Sequence, residues 1–273
     1  MEFRENEPMA EHTSFRCGGA AAAYCEPADE AALIACVREL HESGRPYFLL
    51  GNGTNVLVRD EGYTGTVVST RNLAAGALLS AVCRQAAERG LCGLEPLSGI
   101  PGTLGGAVRM NAGAYGAEIG DFVREVRVYD PQSDKQFVLL NNDCRFGYRA
   151  SVFQERPWVI LDVALSPESG DPAEALAKIR EFARRRNEKQ PMELPSAGSF
   201  FKRPEGDFAA RLIEEAGLKG YAVGGAAVSE KHAGFLVNTG GATAADVLAV
   251  AAHVKEVVFA KFGILLEEEP VVL

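Results

Sequence analysis

Apolar residues recur at helical spacing in four places along the chain. Leu33, Ile34, Val37 and Leu40, behind Glu26-Pro27 and ahead of Gly44, predict an amphipathic helix with a glycine stop. Leu78, Leu79, Val82 and Ala86 predict a second helix ending at Gly90. Leu176, Ile179 and Phe182 predict a third over Pro172–Asn187, closing in the basic run Arg184-Arg185-Arg186. Val247, Leu248, Val250, Val254 and Val258 predict a long helix from about Thr243 to Phe262, opened by a Thr243/Asp246 capping box. A shorter helix is expected around Phe208–Ala216, stopped by Gly217. Strand patterns occupy Tyr47–Leu50, Val56–Val58, Phe122–Tyr129, Gln136–Leu140 and Trp158–Leu165. Strands and helices are mixed without strict alternation, which predicts an α+β protein.

Two segments escape both periodicities. Ser98–Gly116, S-G-I-P-G-T-L-G-G-A-V-R-M-N-A-G-A-Y-G, holds six glycines and one charge. Each interior glycine costs about 1 kcal/mol in a helix relative to alanine, so neither helix nor long strand is expected there. Bare main-chain N–H groups can instead approach an anion without a Cβ in the way. The interleaved Ile100, Leu104, Val108 and Met110 favour burial over a flexible linker. Phe48–Val58, F-L-L-G-N-G-T-N-V-L-V, reads as strand, glycine turn, strand, with donors at Asn52, Thr54 and Asn55. Together the two segments suggest an extended ligand gripped at a diphosphate. Neither has the lysine of a P-loop, and neither forms a G-x-G-x-x-G between strand and helix.

The 273 residues are 47% hydrophobic and carry a formal net charge of −9, enough for a substantial core and unlike a general nucleic-acid binder. No apolar run reaches the roughly 18 residues of a membrane span. The acidic M-E-F-R-E-N-E-P start lacks a signal-peptide core, so a cytoplasmic protein is expected. Six cysteines without C-x-x-C spacing read as reduced thiols. Four scattered histidines give no zinc set, and no metal is expected.

Reactive groups stand out in three further places. In F-G-Y-R-A-S-V-F, Arg149 is a permanent cation among aromatics, suited to a carboxylate or an oxyanion, or simply stacked on Tyr148. In P-S-A-G-S-F-F-K-R-P, Ser199 could donate a proton or cap a turn, while Lys202 and Arg203 could receive phosphates. The terminal L-L-E-E-E-P-V-V-L points successive glutamates to opposite faces, either directing one inward or forming an exposed acidic tail.

Taken together, these motifs resemble the UDP-N-acetylenolpyruvoylglucosamine reductases, the MurB flavoenzymes. The resemblance rests on E-H-T-S-F-R-C-G-G (from Glu11), G-N-G-T-N-V-L-V, the long glycine run, F-G-Y-R, G-S-F-F-K-R-P, L-I-E-E-A-G-L-K-G (from Leu212) and V-S-E-K-H-A-G-F-L-V-N (from Val228). It covers nearly the whole chain and is similar to the shorter subtype, without a tyrosine-bearing insertion. It implies vanillyl-alcohol-oxidase-like FAD-binding subdomains at 1–71 and 72–188. A substrate domain would follow at 189–273, its last strand expected to return to the FAD domain. FAD would lie along Gly51, Asn52, Gly53, Thr54 and Asn55 and along Ile100, Pro101, Gly102, Thr103, Asn111 and Gly113. NADPH would be the reductant and the enolpyruvyl ether of UDP-N-acetylglucosamine the substrate, in a monomer. The resemblance implies that Arg149 and Glu269 stabilise an enol form, Glu269 as its acid. Ser199 would protonate the carbon beside the carboxylate. Lys202, Arg203 and Glu215 would contact substrate.

This chain departs from the family pattern at three points. T-R-N runs directly into L-A-A-G-A after Arg71, where relatives carry a longer link with extra strand residues. Val271 stands where a basic residue is usual, with Glu267 the fallback for Glu269. Arg203 stands where asparagine is common. The competing readings are another FAD oxidoreductase of the same fold and a non-catalytic nucleotide-sugar-binding relative.

Overall fold

The computed structural model describes residues 2–273 and divides into two compact units. The first holds the segment ending at Glu5, Ala23–Asn52 and Gly65–Arg186; the second holds Asn6–Ala22, Gly53–Thr64 and Asn187–Leu273. Helices and strands are mixed in both, an α+β arrangement.

In the first unit, strands β1 (Ala20–Cys25), β2 (Tyr47–Leu50) and β3 (Tyr63–Ser69) lie side by side with β3 in the middle. β2 runs parallel to β3 with Tyr47 opposite Thr66. The parallel pairing needs a crossover, which residues 51–62 between β2 and β3 supply, while helix α1 (Glu30–Glu42) joins β1 to β2. α1 begins where Asp29 accepts a hydrogen bond from the Ala32 N–H at 2.8 Å. It buries Leu33, Ile34, Val37 and Leu40, the face its periodicity predicts. A second sheet, in the order β5–β4–β6, comprises antiparallel β4 (Val123–Asp130), β5 (Lys135–Leu140) and β6 (Val159–Leu165). It packs with α2 (Leu79–Glu88) and α3 (Leu104–Met110) around Leu97, Val108, Val126 and Phe153.

Two expectations need correction here. Leu78 is not on the apolar face of α2: it precedes the helix and is 48% exposed. The glycine run does contain a helix, α3, because Thr103 caps it by accepting from Gly106 N–H and Asn111 closes it in the left-handed conformation at φ 42°. The strand, turn and strand of Phe48–Val58 form as read, with β2 joining β3 and Val56–Leu57 running parallel to Val271–Val272. After Arg71 the chain forms a 3-10 turn at Ala74–Gly76 rather than a strand. Gly76 is required there, since a Cβ would come within 2.2 Å of the Thr70 carbonyl oxygen.

Helix α4 (Pro172–Lys189) runs two residues beyond its expected end. Its predicted apolar face, Leu176, Ile179 and Phe182, is only half-buried, and its buried members are Ala175 and Arg186.

The second unit carries a sheet ordered β7–β10–β9–β8, all antiparallel: β7 (Ser196–Ser199), β8 (Ala222–Val223), β9 (Ala226–Val228) and β10 (Phe235–Asn238). Helices α5 (Ala209–Glu215) and α6 (Ala244–Phe262) pack on it around Phe200, Leu212, Leu236, Val250 and Val254. The Thr243/Asp246 capping box forms as predicted. Asp60 adds a second cap, its two carboxylate oxygens accepting from Ala244 and Ala245 N–H at 2.8 Å each. Asp60→Ala leaves both donors unpaired and is expected to cost about 1–2 kcal/mol. A chemical-denaturation midpoint unchanged from wild type would contradict that. Among the described residues no helix is long and apolar enough to cross a membrane.

Candidate functional site

Each unit gathers its own set of functional side chains. In the first, a cavity of about 390 Å³ opens among β2, the start of α3 and β6. Gly51, Gly105 and Gly106 form part of its wall, Tyr47 and Trp158 supply aromatic surface, and Arg45, Arg109 and Arg156 supply positive charge. Close packing explains the glycine at position 51: a Cβ there would lie 2.6 Å from Thr103 Oγ1, the atom that caps α3. Two residues expected to serve one cofactor, Gly51 and Thr103, are therefore in contact. Gly51→Ala pushes Thr103 from its capping position, at a cost of about 1 kcal/mol. We expect roughly fivefold weaker flavin retention, read by fluorescence titration; unchanged retention would separate this contact from binding.

Asn111 is almost fully buried and spends its amide on its own unit. Its Nδ2 donates to Glu118 Oε2 and to the Gly147 carbonyl, both at 2.8 Å, and its Oδ1 accepts from Gly120 N–H at 2.9 Å. These bonds fold the end of the glycine run over the turn that presents Arg149. Arg149 sits in the left-handed region at φ 52°, a strained conformation for a non-glycine residue. Its guanidinium donates to the Gly113 carbonyl at 3.1 Å, lies 4.0 Å from Glu118 Oε1 and stacks 5.0 Å over Tyr148. The stacking on Tyr148 is thus present, beside an internal carboxylate. The stacked guanidinium is 17% exposed and lies beside the glycine run.

Arg186 was not singled out from the sequence. It is 9% exposed, and its buried Nε has no hydrogen-bond partner. A Cβ on Gly99 would lie 2.7 Å from that Nε, so the guanidinium is packed directly on the glycine run. Burial pulls its pKa below the usual arginine value, and Tyr115 partly opposes the shift. A permanent cation with an orphaned donor wants an electron-rich partner. The spacing Ile179, Phe182, Arg186 is helical and could have revealed it.

In the second unit, Gly53, Thr54 and Asn55 continue the loop. Gly53 has φ 64°, and a Cβ there would meet the His12 carbonyl oxygen at 2.0 Å. Asn55 accepts from Val271 N–H at 2.9 Å and donates from Nδ2 to the Glu269 carbonyl at 3.3 Å. The Glu269 N–H in turn donates to the Phe200 carbonyl at 2.9 Å, and the Lys202 N–H donates to the Glu267 carbonyl at 2.8 Å. The chain after Ser199 therefore zips antiparallel to Glu267–Glu269, with Phe201 opposite Glu268. This pairing brings the backbones of Ser199 and Glu269 together from opposite ends of the unit. Ser199 is exposed and ends β7 after a bulge at Gly198, φ 76°.

The three glutamates divide by their partners. Glu267 is 71% exposed and pairs with Lys202 at 3.3 Å, while Glu268 pairs with Lys255 of α6 at 2.8 Å. Exposed pairs of this kind contribute little stability and exchange readily, which leaves Lys202 available to an anionic ligand. Arg203 stacks 4.7 Å over Phe208. Glu215 ends α5, held by Arg211 at 2.6 Å.

Comparison with known proteins adds a second line of observation. Residues 190–273 match the family described as "UDP-N-acetylenolpyruvoylglucosamine reductase, C-terminal domain", and residues 21–135 match "FAD binding domain". A protein of Caldanaerobacter subterraneus subsp. tengcongensis named UDP-N-acetylenolpyruvoylglucosamine reductase is 48% identical, over 97% of this chain and 91% of its own. One of the same name from Clostridioides difficile is 43% identical, over 100% of this chain and 93% of its own. The crystal structure of UDP-N-acetylenolpyruvylglucosamine reductase from Thermus caldophilus superimposes with a TM-score of 0.86 at 35% identity, covering 99% of both chains.

Proposed function

The chain belongs to the UDP-N-acetylenolpyruvoylglucosamine reductase family, and from that premise we infer that it reduces the enolpyruvyl ether of UDP-N-acetylglucosamine to UDP-N-acetylmuramate. The reductant is NADPH and the cofactor FAD. The observation that carries this reading is the near full-length likeness to reductases of that name, joined to the pairing that sets Ser199 beside Glu269.

The residues present fit FAD. Gly51 and Thr103 pack without room for a Cβ, arginines line the adjoining cavity, and Arg186 holds a buried donor without a partner. Gly51, Asn52, Gly53, Thr54 and Asn55 would hold the cofactor from one loop. Ile100, Pro101, Gly102, Thr103 and Gly113 would hold it from the other, with Asn111 keeping that loop folded. Bound FAD supplies the hydride.

The remaining steps belong to the chain. Hydride arriving at the terminal enolpyruvyl carbon shifts the electron pair of the C=C bond toward the carboxylate. Arg149 and Glu269 stabilise the enol form by charge and hydrogen bonding. The Ser199 hydroxyl gives its proton to the carbon bearing the ether oxygen and the carboxylate, which completes the lactyl ether. Solvent then reprotonates the exposed Ser199. Lys202 and Arg203 take the anionic diphosphate, and Glu215 accepts from the polar groups of the sugar nucleotide. We place the protein, acting as a monomer, in the cytoplasm, where these nucleotides are made.

The test is an anaerobic half-reaction pair. NADPH should bleach the oxidised flavin spectrum of the purified protein. Adding UDP-N-acetylglucosamine enolpyruvate without oxygen should restore it and yield UDP-N-acetylmuramate. Bleaching without recovery would point to another flavin oxidoreductase; no flavin spectrum after reconstitution would point to a non-catalytic relative.

A further inference from the structure

Cys25 and Cys36 place their sulfurs 3.5 Å apart inside the first unit. Cys25 ends β1 and Cys36 lies within α1, and both are at most 2% exposed. They sit in an apolar cluster with Leu33, Val37, Leu40 and Val68. Among the described residues no other two sulfurs are recorded within hydrogen-bond distance. A disulfide requires about 2.05 Å, so the sulfurs must approach by about 1.5 Å. The strand and the helix that carry them are joined by the short link Glu26–Asp29.

We propose that Cys25 and Cys36 form a buried dithiol that hydrogen peroxide converts to a disulfide, a covalent modification site that staples β1 to α1. Either thiol can donate in this contact; with Cys25 as donor, the bond favours the Cys36 thiolate, and the same bond together with burial pushes the Cys25 thiol up. Cys36 is accordingly the attacking sulfur. Its thiolate attacks one peroxide oxygen and the O–O bond breaks. The hydroxide released takes up a proton and leaves as water. The sulfenic acid on Cys36 is then attacked by Cys25 sulfur, its S–O bond breaks, and a second water departs. Two thiols lose two electrons in total and one peroxide gains them.

The ring so closed spans Cys25 to Cys36, and α1 leads directly to His41 and Arg45 on the cavity wall. Closing a loop of this length is expected to raise the thermal midpoint by roughly 5–10 °C.

The experiment treats the full-length flavin-loaded protein with hydrogen peroxide, quenches it, alkylates under denaturing conditions and measures intact mass and peptide map. The expected result is a loss of 2 Da, four alkylated cysteines in place of six, and one cross-linked peptide pair joining Cys25 to Cys36. Dithiothreitol should restore six. Alkylatable thiols at both Cys25 and Cys36, at a peroxide dose that oxidises the less buried Cys92, would overturn the proposal. So would a bridge between other cysteines, or separate sulfinic acids at Cys25 and Cys36. In Cys25→Ser the 2 Da loss should vanish and a dimedone adduct should appear on Cys36; a persisting 2 Da loss would also overturn it.

Discussion

Ser199→Ala is expected to lower turnover by about three orders of magnitude while leaving the reduction of bound flavin by NADPH at its wild-type rate. A positioned proton donor typically contributes 10²–10⁴-fold, and the hydroxyl is needed only after hydride transfer has begun. The substitution removes one oxygen from an exposed residue that ends a strand. Among the described residues that hydroxyl has no recorded hydrogen-bond partner, so stability should change by less than about 0.5 kcal/mol. This separates the proton donor from the turn-capping serine that the same sequence could encode. A capping serine would lose melting temperature and keep its rate. Stopped-flow traces with NADPH alone, then with substrate added anaerobically, distinguish the steps. A variant that turns over at the wild-type rate would remove Ser199 from the mechanism.

Much of the fold was legible because hydrophobic periodicity reports burial directly. α1 buried the residues its spacing marked, α6 buried all of its marked face except the half-buried Leu248, and the Thr243/Asp246 box formed as written. Legibility failed where a few specific contacts outweighed propensity. The glycines of Leu104–Met110 argue against a helix, but Thr103 at one end, left-handed Asn111 at the other and a wall of Leu104, Ala107 and Val108 in the core make one. The strand–turn–strand pattern of Phe48–Val58 did not show that its two arms pair with different strands. Pairing partners distant in sequence leave no local trace.

The site was legible unevenly for the same reason. Motif likeness pointed to Ser199 and Glu269, but only the pairing of Phe200–Lys202 with Glu267–Glu269 shows how their backbones come together. The cavity arginines Arg45, Arg109 and Arg156 carry no sequence signature, because they belong to three separate segments. Arg186 was hidden by its neighbours: in Arg184-Arg185-Arg186 the first two pair with Glu181 on the surface, and only the helical phase distinguishes the third.

Arg186→Met is the change expected to separate cofactor binding from stability most sharply. In the cofactor-free protein the buried guanidinium carries a desolvation cost and an unpaired Nε. Replacing it with an apolar side chain of similar length removes both, as replacing buried charged groups by apolar ones can be neutral or stabilising. The melting temperature of the flavin-free variant should therefore equal or exceed that of wild type. Flavin binding should move the other way, because a charged hydrogen bond to a cofactor is worth about 1.5–3 kcal/mol, or roughly 10- to 150-fold in dissociation constant. Added flavin should consequently stabilise wild type far more than the variant, since ligand stabilisation follows RT ln(1 + [L]/Kd). Arg186→Lys keeps the charge without the planar donor set and should fall between them. A variant that melts lower without flavin yet binds it as tightly as wild type would make Arg186 a structural residue, with Tyr115 as the partner that justifies its burial.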